Sequence, residues 1–409
     1  MFNPRSCAAA MAAALVPLLG QGAPLSLESA LDLAVQRSEA VRSGRAGQLS
    51  ASETARGAGR LPDPTLNVGV DNLPVTGSDR LSTTRDSMTM KRIGISQEWL
   101  SASKRAARSA AAEAVVQREE LQVQAATAET RLQTALAYVD AFYASEALKL
   151  TTLMEHHAHE ELEAARGRFA SAASSGQDVL ALTGARGAAE DESAQMQQEQ
   201  SAALISLERW VGIKSDELLP PVEARIPAES EYVAAHPAVL TQRRALEVAR
   251  REAAVTASER SPNWTWAASY GQRTGYSDMV SFGVSIPIPL SPRERQDRDT
   301  ASKLALADKT ELDLAEATRA ASAEYRALAS DRQRLQGRID RYRIGVVAPA
   351  TQRISAAMAG YASNQSSLVT LFEARHAEVD AERKLLSLQR DLAKAEVQLR
   401  LKPVMAAGQ

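Results

Sequence analysis

The chain carries one plan twice. The stretch FASAASSG from Phe169 and the stretch YASNQSSL from Tyr361 share the pattern aromatic-Ala-Ser-x-x-Ser-Ser, 192 residues apart. PTLNVGV from Pro64 has a counterpart in PNWTWAASY from Pro262 at an offset of 198, and IGIS from Ile93 has one in FGVS from Phe282 at an offset of 189. Matches that keep their order over such distances read as an internal duplication, so the fold must be one that a repeated unit can build. The offset falls by nine between the two strand-like matches, which makes the joining segment nine residues shorter in the second copy. Those segments, DNLPVTGSDRLSTTRDS and GQRTGYSD, are rich in turn formers. Each copy therefore contributes one hairpin.

All four hairpin arms alternate. Leu66, Val68 and Val70 share a face in the first, and Ile93, Ile95 and Trp99 in the second, where Gln97 interrupts. Trp264, Trp266, Ala268 and Tyr270 form the third, and the even positions from Val280 to Leu290 the fourth. Arms of about 7 to 11 residues match a tilted strand crossing a bilayer. Trp99, Trp264, Trp266 and Tyr270 suit its interfaces, where amphipathic rings settle.

Between the hairpins the sequence is alanine-rich, charged and helical. The first repeat is read as residues 24–211, with a helix over Leu27 to Arg60, the hairpin at 64–100, a long helix at 101–168 and a return helix at 177–211. A linker follows at 212–230. The second repeat is read as 231–401, with a helix over Glu231 to Arg260, the hairpin at 262–290, a long helix at 292–360 kinked at Pro349, and a return helix at 366–401. A flexible tail is expected at 402–409. Each long helix is roughly 100 Å, and pairs of shorter helices match it in length. The stripe Leu132, Leu136, Val139, Tyr143, Ala147, Leu150 is spaced for coiled-coil-like packing.

The N-terminal residues 1–23 pair Arg5 with an apolar run ending in small residues, the pattern of a secretory signal peptide. The single cysteine, Cys7, lies inside it, so a processed chain would hold no thiol or disulfide. With 24% charged residues and no later apolar window of helical membrane-spanning length, a bundle of membrane helices is excluded. A formal net charge of -2 offers no field for nucleic acid. No P-loop, dinucleotide fingerprint or nucleophile elbow is present, so neither an enzyme nor a cofactor is expected.

Four strands with open edges cannot stand alone in lipid. Three copies would supply twelve, a closed barrel of even strand number continued by a ring of long helices. With the duplicated order of helix, hairpin, long helix, Ser-rich turn and helix, the chain resembles the TolC family of outer-membrane efflux proteins. LPDPTLNVGVDNLP, KRIGISQEW and SKRAARSAAAE resemble its heavy-metal branch. The resemblance implies a mainly α fold with membrane β: a homotrimer in the outer membrane, with a 12-stranded barrel and a helical barrel extending into the periplasm. It also implies a periplasmic adaptor and an inner-membrane RND-type pump as partners, with outer-membrane lipid around the barrel.

Family members hold the periplasmic end closed with a tyrosine, a basic residue and acids. Here the tyrosine falls on Tyr361 and one acid on Glu373, while the basic position is Ser366 and the other acid Thr370. The turns with Ser171, Ser174, Ser175 and Gly176, and with Ser363, Asn364 and Ser367, are expected to meet the adaptor. Two basic clusters, Lys104, Arg105 and Arg108 after the first hairpin and Arg293, Arg295 and Arg298 after the second, suit either lipid phosphate or a solvated face. In EHHAHEE, the pairs His156 with His159 and His157 with Glu161 have helical spacing for a shared cation, but they make no closed site; a solvated face is the alternative. Ducts for drugs or secreted polypeptides share the architecture, and a pore-less periplasmic coiled-coil scaffold is the reading from another class.

Overall fold

The structure, a computed structural model, describes residues 24–171, 175–221 and 225–404. The expected signal sequence and Ser174 lie outside the described residues. The chain forms two compact units. A sheet unit comprises Ser38–Leu132, Arg225–Arg334 and Ala395–Gln409, and a tip unit Met1–Arg37, Gln133–Ala224 and Leu335–Lys394.

The sheet unit holds β1 (Thr65–Asp71), β2 (Met90–Trp99), β3 (Trp264–Gln272) and β4 (Met279–Ser285). They form one antiparallel sheet in the order β1-β2-β3-β4, so each copy's hairpin is intact and the two pair through β2 and β3. The fourth arm is shorter than the alternation implies: pairing stops at Ser285, and residues 286–290 are irregular. Pro287 and Pro289 have no N–H to give to a ladder, so apolar alternation continues where strand structure cannot.

Both shorter helices expected as continuous are broken, and at equivalent places. Ser38 separates α1 (Leu27–Arg37) from α2 (Glu39–Ala58), and His236, 198 residues on, separates α5 (Glu229–Ala235) from α6 (Pro237–Ser258). Each breaking residue is an N-cap with extended backbone: Ser38 Oγ accepts from Val41 N, and His236 Nδ1 accepts from Ala238 N. Pro237 at the first helical position disfavours helix at His236 itself. The duplication thus extends to the caps.

α3 (Ala102–Ala170) is unbroken for 69 residues. Its counterpart is not continuous: α7 begins at Gln296, later than expected, and runs to Tyr342. A π turn at Arg343–Val347 then leads to α8 (Ala348–Ala362). Pro349 removes one helical donor at this point, and Ala348 N reaches back five residues to Arg343 O. The expected kink site is thus resolved as a wide turn. α4 (Gly176–Val211) ends at Gly212 in the left-handed conformation, and α9 spans Leu368–Leu401.

In the tip unit, α3, α4, α8 and α9 share a core of Met154, Ala158, Leu162, Ala165, Leu182, Ala189, Ala357, Leu371 and Phe372. A second cluster joins Ile339 and Val347 to Ala381, Leu385 and Leu388. The many alanines let the helices approach closely. Of the coiled-coil stripe, Leu132 and Val139 are buried and Leu136 and Leu150 half-buried, while Ala135, Tyr138 and Ala141 are buried more deeply than the stripe implied. Tyr138 Oη lies 2.7 Å from the carbonyls of both Leu25 and Leu219, pinning a short parallel bridge between Leu25 and Leu218. The expected tail is held where described: Lys402 pairs with Glu324, and Val404 N donates to Ala235 O. No helix among the described residues is long and apolar enough to cross a membrane.

Candidate functional site

The pairing register sorts the sheet into two chemically distinct faces. Directly opposed residues point the same way. On one face Leu66 opposes Ile95, Val68 opposes Ile93, Ile93 opposes Tyr270, and Ala268 opposes Phe282, with Trp266 against Val284 and Trp99 against Trp264. Nothing among the described residues covers this face: Val68 is 73% exposed and Phe282 83%. Its polar positions are few: Gln97, turned to the Pro62 carbonyl, and Lys91 and Gln272 at the hairpin-turn end. The opposite face carries Asn67, Gly69, Ser96, Gly94, Ser269, Ser281 and Gly283, with the ion pair of Arg92 and Asp71 and the larger Met90 and Met279 toward the turn end. Packing there is tight enough that a Cβ on Gly94 would lie 2.7 Å from that of Ser269. A sheet apolar on one face and mostly small or polar on the other has the two-faced pattern found in water-filled membrane barrels. Strands β1 and β4 keep unpaired edges in the single chain.

At the foot of the first hairpin, where β2 passes into α3 and α6 into β3, polar side chains converge. Lys104, 1% exposed, donates to Glu259 at 2.9 Å and Asn263 at 2.6 Å. Asn263 donates in turn to Glu98, and Arg108 donates to the second oxygen of Glu259. Burial pushes the Glu259 carboxyl up, but the hydrogen bonds from Lys104 and Arg108 outweigh it and hold the group below its ordinary value. Two members of the first basic cluster are therefore committed to protein. Arg293, Arg295 and Arg298 of the second cluster are exposed, among Glu294, Asp297 and Asp299.

The tip turns are built from their own hydroxyls. Ser171 Oγ donates to Arg168 O, and Ser175 caps α4 in a reciprocal capping box with Asp178 beside Gly176. In the second turn Ser363 closes α8, Asn364 takes a left-handed φ of 59°, and Ser367 Oγ accepts from Thr370 N. Ser366 Oγ donates to Ala357 O. Tyr361 does meet a cation, one that the sequence reading missed. Arg168, at the end of α3, stacks on the Tyr361 ring at 5.2 Å and donates to Asn364 Oδ1 at 3.1 Å. Thr370 and Glu373 are exposed.

The histidines do not converge. His156 and His157 both face Glu160, at 3.3 and 3.4 Å, and His159 is exposed. His156 borders an open groove of about 730 Å³ together with Lys149 and Asp216. Glu161, the expected partner of His157, turns inward instead and pairs with Arg375 of α9 at 2.9 Å, because it shares a helical face with Ala158, Leu162 and Ala165. Among the described residues no group of three or more His, Cys, Asp or Glu is placed to hold a metal.

Comparison with solved structures decides the fold. CusC, described in the context of transmembrane channel formation, matches with a TM-score of 0.76 at 16% identity, covering 94% of this chain and 95% of its own. The outer membrane protein VceC from Vibrio cholerae matches at 0.76 and 17% identity, covering 92% and 96%. The open state of the MtrE outer membrane channel from Neisseria gonorrhoeae matches at 0.71 and 19%, covering 92% and 88%. The chain has the fold of an outer-membrane channel. The TolC-like fold of the single chain, as implied by the sequence resemblance, is therefore the one observed, and the match extends across nearly the whole chain. No protein-family model and no curated protein matches it.

Proposed function

We propose that the protein is a passive outer-membrane duct. Three copies close their sheets edge to edge into a twelve-stranded barrel, and the helices continue the conduit into the periplasm, where a pump and an adaptor supply energy and substrate. The observation that carries this reading is the sheet itself: an uncovered apolar face, a small polar face behind it, and two unsatisfied edges in one chain. A periplasmic scaffold has no use for such a sheet. The proposed cargo is a heavy-metal cation, supported by the resemblance of the residue 61–74, 91–99 and 103–113 segments to the metal-efflux branch. No resident metal site is required, since the cation is cargo. The test is a strain lacking the protein, profiled against cobalt, zinc, cadmium, copper, silver and several drugs, with fractionation of the complemented strain. Outer-membrane recovery and selective, complementable loss of metal resistance are expected. Recovery there with drug sensitivity or failed polypeptide secretion instead would overturn the cargo and keep the duct; extraction by salt without detergent would overturn both.

A further inference from the structure

Among the described residues Glu161 is the one buried carboxylate of the tip unit, and the duct reading gives it no task. Its residue is 4% exposed, one oxygen accepts from Arg375, and the other, Oε2, is buried with no hydrogen-bond partner. It sits on α3 among Ala158, Leu162 and Ala165, opposite Leu371, Phe372 and Ala374 of α9. Half of a charged group is thus taken out of water without compensation, which costs more than one ion pair returns.

The surrounding charges are few. From α9 only Arg375 reaches it; the neighbouring His376 stacks on Phe372 and lies 3.6 Å from Asp380. From α3 itself Glu160 repels it, although His156 and His157 both face Glu160. From α4 the same core receives Leu182 and Ala189; Arg186 of that helix is engaged by Glu190, and Glu192 by Arg383. From α8 it receives Ala357 and Ile354. Burial accordingly lifts the Glu161 carboxyl to about 7, against the pull of Arg375 and with a push from Glu160.

We propose that Glu161 and Arg375 form a proton-responsive clasp between α3 and α9. In mildly acid medium the carboxyl is neutral, stays buried and lets the helices pack. As the medium turns alkaline the carboxylate is drawn toward water and the packing loosens. The direction follows from linkage: a carboxyl that binds its proton more tightly when buried favours the packed state at low pH, and this preference is lost as pH rises through its buried value. Between pH 5.5 and 8.0 the packed-to-loosened ratio should fall roughly 25-fold.

The test is backbone hydrogen exchange of the full-length protein in detergent at those two pH values, corrected for the intrinsic rate, over 154–165 and 371–380. Protection of both segments should fall by about tenfold or more from pH 5.5 to 8.0. Glu161→Gln should remove that dependence, whereas Glu163→Gln, on the exposed face of the same helix, should keep it. Arg375→Gln provides a second readout: with the attracting cation gone, the transition should move to higher pH. Unchanged protection in the wild type, rising protection with pH, or a Glu161→Gln variant that keeps the wild-type dependence would each overturn the clasp.

Discussion

Two carboxylate and cation pairs in this chain, one built on a half-exposed acid and one on a buried acid, have the same chemistry and opposite electrostatic outcomes. In the sheet unit Glu259 receives Lys104 on one oxygen and Arg108 on the other, and its carboxyl is held below the ordinary range. In the tip unit Glu161 receives Arg375 alone, leaves an oxygen unpartnered, and is lifted to about 7. Burial pushes both upward, and more strongly at Glu161, whose side chain is 5% exposed against 37% at Glu259, so depth of burial and number of donors together set the sign. A fully satisfied pair fixes the joint between strand and helix; a half-satisfied one responds to protons. The first suits a fixed joint between strand and helix, and the second carries the proposed clasp.

The largest effect expected from this contrast is at Lys104. Lys104→Met takes one of two cations from the half-exposed Glu259 and a donor from Asn263, and should lower stability by about 1.5–3 kcal/mol, read as a drop in the melting temperature of the detergent-solubilised protein. A change below about 1 kcal/mol would mean that the network is not the lock it resembles. Next is the opposite pH behaviour of the two acids. Because Glu259 is held low, its contribution is present above the unfolded carboxylate range and is lost as pH falls through its folded value. Glu259→Gln should therefore destabilise at neutral pH and flatten the acid limb of a melting-temperature profile.

Because Glu161 is raised, its contribution favours the fold at acid pH and is lost toward pH 7 and above. Glu161→Gln should remove about 2 kcal/mol of pH dependence between pH 5.5 and 8.0. Parallel profiles for the two variants would erase the distinction. The smallest effect belongs to the tip contact: Arg168→Ala should cost about 0.5–1 kcal/mol for the stacked cation, with Arg168→Lys recovering part of it. Melting curves that do not separate these variants would remove the Arg168 stack from the account.

The same contrast shows what the sequence can reveal. Strand alternation was legible because one face of the sheet is chemically uniform, and the register confirms Leu66, Ile95, Ala268 and Phe282 as one row. The end of β4 was misjudged because side-chain alternation through Leu290 says nothing about the missing N–H groups of Pro287 and Pro289. The breaks at Ser38 and His236 were written in cap residues and in Pro237, yet two merged amphipathic helices have nearly the same periodicity as one. Glu161 is in phase with Ala158 and Leu162, but its polar neighbours in EHHAHEE read as a solvated face or a weak cation contact, and neither places a carboxylate in the core. What local pattern could not give is distance in sequence: Lys104 meets Glu259 155 positions away, and Arg168 meets Asn364 196 positions away. The cation beside Tyr361 comes from Arg168 of α3, not from position 366, where the resemblance puts the family's basic residue.

The central claim is that the open edges of this sheet pair between three copies in a membrane. With Cys7 replaced by serine, single cysteines walked along β1 can be combined with one in β4 and oxidised in isolated outer membranes. The duct reading predicts a register at which disulfide-linked species appear as two and three copies and stop there. Absence of linkage at every register, or a ladder continuing beyond three copies, would contradict it.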